Sequence, residues 1–89
     1  MITCRRVRYK GRVQGVGFRY TAQSLAAQFP IAGFVRNLSN GDVELVAEGS
    51  AEQVNGFLEA VAACMADYVS SVEVQEIAAS DLQGFRIRF

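Results

Sequence analysis

The 89 residues suffice for one hydrophobic core and no second one, since a chain this short buries only about 60% of its unfolded surface. A single domain over residues 1–89 is therefore expected, and 51% hydrophobic with 20% charged residues excludes a disordered polar segment. Nine basic and nine acidic side chains cancel to a net charge of +0, so no overall field favours nucleic acid or an anionic membrane.

The opening segment MITCRRVRYK has no apolar leader. The longest apolar run, Ala60 to Ala66, is far too short to span a bilayer, so a soluble cytoplasmic protein with no membrane partner is predicted. From Arg5 to Val13 the chain alternates, with Val7, Tyr9 and Val13 on one side and Arg6, Arg8, Lys10 and Arg12 on the other, which predicts a half-buried strand. Cys4 is expected to precede that strand. Phe18, Ala22, Leu25, Ala26 and Phe29 recur at helical spacing, and Pro30 stops the helix at or before Phe29.

Ile31 to Leu38 and Asp42 to Glu48 are rich in strand formers. Asn40-Gly41 between them tolerates positive φ and predicts a tight hairpin turn. Ser50 followed by Gln53 signals a helix cap, and Val54, Phe57, Leu58, Val61, Ala62 and Met65 form an apolar stripe behind it. Cys64 closes that helix, and with Cys4 is read as a free thiol. Val69 to Ile77 returns to strand character, and Gly84 leads to a short final strand, Phe85 to Phe89.

The resulting order is β-α-β-β-α-β with one short extra strand. Two helices, each with a single apolar stripe, can cover only one face of a sheet, which predicts an α+β, ferredoxin-like split βαβ sandwich.

Between the first strand and the first helix stands Gln14-Gly15-Val16-Gly17-Phe18. Two glycines allow successive backbone N–H groups to converge, and the helix terminus behind them favours an anion. Arg19, in the first helical turn, carries a planar guanidinium able to bind two phosphate oxygens at once. On residue types alone, a simple strand-to-helix turn with a solvated arginine explains the stretch equally well. Spacing excludes two nucleotide motifs: Gly11 is followed at the Walker A offset by Val16 and Gly17 without lysine, and Tyr20 occupies the third small position of the dinucleotide fingerprint. The chain has no histidine and no Cys-x-x-Cys pair, which excludes the usual zinc sites and predicts no cofactor.

GRVQGVGFR at Gly11 to Arg19, with GFVRNLSNGDVEL at Gly33 to Leu45, resembles the two signature stretches of the acylphosphatase family, and the match continues to the terminal FRIRF. The resemblance implies hydrolysis of acyl phosphates. It implies that the backbone amides of Gln14, Gly15, Val16, Gly17 and Phe18 hold the phosphate together with Arg19, and that Asn37 orients the attacking water. Inorganic phosphate or sulfate is expected to fit the same loop. Phe29-Pro30 replaces the family's common Leu-Gly, and Ala66-Asp67-Tyr68 lacks its usual Gly-Pro, differences expected to alter loop shape and not the phosphate site. A monomer is expected.

A nucleic-acid-binding reading rests on the basic row Arg6, Arg8, Lys10 and Arg12. That row lacks the aromatics on which RNA-recognition sheets stack bases, and Glu44, Glu48 and Glu73 are its expected cross-strand partners. No nucleic acid is therefore predicted. A non-catalytic anion-binding module is the remaining alternative.

Overall fold

The computed structural model of the chain describes residues 1–89. Seven elements follow in order: β1 (Ile2–Gly11), α1 (Phe18–Ala26), β2 (Ala32–Asn37), β3 (Val43–Ser50), α2 (Ala51–Cys64), β4 (Val69–Ile77) and β5 (Phe85–Arg88). The strands form one sheet in the order β4-β1-β3-β2-β5. All neighbours are antiparallel except β2 and β5, which run parallel. This is the expected ferredoxin-like α+β arrangement with an added edge strand.

The helices cover one face because that face collects the apolar residues of each strand. Val7 and Tyr9 of β1, Val35 of β2, and Val43, Leu45 and Ala47 of β3 meet Ala22 and Ala26 of α1 and Val54, Phe57 and Val61 of α2. Phe57 lies edge-on to Phe29 at 5.9 Å and to Phe85 at 5.3 Å, so one ring of α2 meets both the turn after α1 and the edge strand β5. The Ser50 hydroxyl accepts the Gln53 amide at 3.3 Å, the predicted cap of α2. Ala62, expected in the stripe, is exposed instead. Val54, Phe57, Val61 and Met65 already complete the buried face, leaving Ala62 at its margin.

Three local expectations are corrected. β1 begins at Ile2 because β3 runs on to Ser50 and supplies partners for Ile2, Thr3 and Cys4. Cys4 is therefore inside the strand, where burial, with the neighbouring Glu48 carboxylate, pushes its thiol up to about 11. At the other end the register shifts between Lys10 and Gly11, so β1 stops there, and Val13 is buried beyond it as an anchor of the following loop. The hairpin is not a two-residue turn: Leu38 N–H donates to Asp42 O at 2.8 Å and Gly41 N–H to Leu38 O at 3.2 Å, and of Asn40 and Gly41 only Gly41 has positive φ. Asn40 uses its side-chain oxygen to accept the Asp42 amide at 3.0 Å, which stabilises the longer loop.

The open face carries the charged rows. Only one of the expected cross-strand partners for the basic row is used, Glu73 against Lys10 at 3.1 Å. Glu44 is taken by Arg36 at 2.7 Å, and Arg8 reaches Asp42 at 3.9 Å. Glu48 accepts the amides of Ser80 at 2.8 Å and Leu82 at 2.9 Å, which straps the β4–β5 connection across the sheet. Those amides, Ser80 foremost, hold the Glu48 carboxyl below the usual range. Arg12 lies beyond the register shift and stacks over Tyr68 at 5.6 Å. Backbone donors and Arg36 reach Glu48 and Glu44 first, so strand alternation alone did not identify the pairs.

Candidate active site

The loop from Arg12 to Gly17 is held by apolar anchors on either side of its glycines. Val13 is 1% exposed, Phe18 is 2% exposed with its ring 4.8 Å from that of Tyr9, and Val16 packs against the same core. Gly15 and Gly17 both adopt left-handed φ, 77° and 79°, a conformation that costs other residues roughly 1–2 kcal/mol. Neither has an atom within 4 Å of where a Cβ would stand, so backbone conformation, not crowding, requires glycine there.

Gly17 is the N-cap of α1 and brings no side-chain acceptor, and the first helical turn contains no acidic residue. The first helical backbone bond is Thr21 N–H to Gly17 O at 3.0 Å. The amides of Phe18, Arg19 and Tyr20 are thus left at the positive end of the helix without an internal carboxylate, an arrangement suited to an external anion.

Asn37 arrives from a different part of the chain. It ends β2 on the same side of the sheet as Val35, facing the helix layer, and pairs with Val43. The hairpin it leads into is tied to the loop: the Gln14 side-chain amide donates to Leu38 O at 2.8 Å and to Asp42 O at 2.9 Å.

These elements enclose a cavity of about 180 Å³ lined by Val13, Gly15, Gly17, Phe18, Arg19, Tyr20 and Asn37. Of the residues expected from sequence, Gly15, Gly17, Phe18, Arg19 and Asn37 come together here. Gln14 and Val16 do not line it, since their side chains turn to the hairpin and the core. Val13 and Tyr20 are lining residues that the motif did not single out, although both immediately flank its functional positions. The Arg19 guanidinium lies 5.1 Å from the Phe89 ring and takes part in none of the ion pairs of the fold. It remains free to meet an anion.

Of the lining residues only Arg19 and Tyr20 carry titratable side chains, so the cavity offers donors and no carboxylate or imidazole base. Tyr9 lies beneath it against Phe18, and burial pushes its phenol well above the ordinary range, leaving it neutral.

Residues 5–87 match the sequence model of the family described as Acylphosphatase. The chain is 36% identical over 87 residues to an acylphosphatase of Vibrio parahaemolyticus, covering 97% of each protein. It is 41% identical over 86 residues to one of Syntrophotalea carbinolica, covering 94% of each. Among solved structures, the crystal structure of acylphosphatase from Bacillus subtilis superposes with a TM-score of 0.88 at 35% identity, with all of both chains covered.

Proposed function

The chain belongs to the acylphosphatase family, and from that premise we propose that it hydrolyses the carboxyl–phosphate anhydride bond of acyl phosphates to a carboxylate and inorganic phosphate. The observation that carries this reading is the cavity in which Gly15, Gly17, Phe18, Arg19 and Asn37 converge from two separate signature stretches.

In this reading the amides of the loop and of the first turn of α1 bind the phosphoryl oxygens, and Arg19 closes over them with two N–H donors. Phosphoryl transfer is loose and spreads charge over the equatorial oxygens, which is the distribution such fixed donors address. The Asn37 amide orients a water for in-line attack on phosphorus. The new P–O bond forms as the bond from phosphorus to the acyl oxygen breaks, and the electron pair leaves with the carboxylate. A carboxylate is a good leaving group, so no strong general acid is required. The water's proton passes to a phosphoryl oxygen of the substrate, since no side-chain base lines the cavity. A pH–rate profile that requires a side-chain general base would remove that last step from the mechanism.

The test is steady-state hydrolysis of acetyl phosphate without added metal. Wild-type turnover, lost in Arg19→Ala and strongly reduced in Arg19→Lys and Asn37→Ala, is the expected result. Phosphate binding without turnover would instead establish the non-catalytic alternative.

A further inference from the structure

Gln14 falls within the signature loop, where its backbone amide is the part expected to serve the anion. Its side chain is engaged elsewhere. The amide nitrogen donates to Leu38 O at 2.8 Å and to Asp42 O at 2.9 Å, spanning 24 and 28 residues of sequence in a part-buried setting. Both partners are carbonyl oxygens, which only the NH₂ side of the amide can satisfy, so the orientation of the group follows from its partners.

Those two carbonyls flank Asn37's position. Leu38 directly follows Asn37, and Asp42 directly precedes Val43, the cross-strand partner of Asn37. One side chain therefore clips the anion loop to the residue pair next to Asn37.

The sheet order leaves a place for such a clip. The loop extends from β1 and Asn37 ends β2, and these strands are separated by β3. The β1–β3 register ends at Tyr9 opposite Val43, so no ladder bond between those strands fixes the chain beyond that point relative to the hairpin. Past it, the direct polar tie from the loop to the hairpin is Gln14.

We propose that Gln14 is a positioning residue whose side-chain amide sets the separation between the phosphate-binding loop and Asn37, and with it the alignment of the attacking water on phosphorus. This rests on the hydrolytic reading above. In-line attack is sensitive to geometry, a misplacement of about 1 Å costing on the order of 10²-fold in rate. Phosphate affinity is insulated from the clip, because the loop's own shape is held by Val13, Val16, Phe18 and the two left-handed glycines.

The experiment is a double-mutant cycle between Gln14→Met, which keeps length without donors, and Asn37→Ala. Acetyl phosphate is the substrate and inorganic phosphate the competitive inhibitor. Gln14→Met should lower kcat by about tenfold or more, with KM and the phosphate inhibition constant changed less than about twofold. In the Asn37→Ala background it should lower kcat by less than about twofold further, because the residue it positions is gone. An unchanged kcat, an equal loss with and without the Asn37 side chain, or a loss confined to phosphate affinity overturns the proposal. If Gln14→Met does not fold, Gln14→Glu decides by pH: its kcat should recover as the carboxyl protonates and regains an O–H donor, and a profile parallel to wild type overturns it. A wild type that binds phosphate but does not turn over acetyl phosphate defeats the hydrolytic reading itself, a result distinct from any variant outcome.

Discussion

Replacing Glu48 by glutamine preserves its size but leaves only one of its two acceptor oxygens for the amides of Ser80 and Leu82, now 2.8 and 2.9 Å away. The side chain is 7% exposed as a residue, so water cannot readily substitute for the missing acceptor. A hydrogen bond to a charged group contributes about 1.5–3 kcal/mol, so a loss of about 2 kcal/mol is expected. For a domain of this size that lowers Tm by roughly 8–16 °C at neutral pH. Glu48's folded pKa lies below its unfolded value, so its contribution is fully present above the unfolded carboxyl range and is lost as pH falls through the folded value. Thermal melts of both proteins from pH 7 to pH 2 should therefore show the largest gap at neutral pH, narrowing in acid. Glu48 lies five residues along β3 from Val43, about 17 Å at strand spacing, so acyl phosphate turnover at 25 °C should be unchanged in the folded variant. A melt identical to wild type at pH 7, or a gap that widens in acid, would refute the strap.

Gly17→Ala places a side chain at φ 79° in otherwise open space, so its cost is backbone strain of roughly 1–2 kcal/mol, read as a lower midpoint in urea, with a larger effect on KM through the distorted anion cradle. Phe89→Ala removes the ring 5.1 Å from the Arg19 guanidinium. Exposed contacts of this kind contribute about 0.5–1 kcal/mol, so kcat/KM should fall by roughly two- to fivefold, and Phe89→Leu, which packs without a π face, should not restore it. Blocking thiols with a membrane-permeant alkylating reagent at pH 8 should label exposed Cys64 quickly and spare buried Cys4, as peptide mapping would show.

The helices and the five strands were legible in the sequence wherever apolar spacing and punctuation agreed. Pro30 and the Ser50 cap marked helix limits, and the Val7–Tyr9 alternation marked the buried side of β1. The turn itself was also visible, since Gly15 and Gly17 mark the left-handed backbone before α1, but residue types alone left an anion cradle and a plain strand-to-helix turn equally open. What alternation could not show was competition for partners. Glu48 is claimed by backbone amides from a connection 32 residues away, and Glu44 by Arg36 from the neighbouring strand. The same blindness hid Gln14, whose amide acts across 24 residues while its neighbours act locally. Asn37 had no local signal at all, and its place in the cavity follows from the parity of β2 and the crossing of β3, both properties of the assembled sheet. Asn40-Gly41 misled in a small way: asparagine was expected to supply positive φ, but its side chain caps the turn instead.

The most direct test of the central claim is the initial rate of acetyl phosphate hydrolysis by purified wild type beside folded Arg19→Ala, with inorganic phosphate release as the readout. Loss of a fixed donor to the transferring group typically costs on the order of 10²–10³ in kcat, and removal of the guanidinium that closes the cavity should cost at least that much. Equal rates for the two proteins would contradict the account.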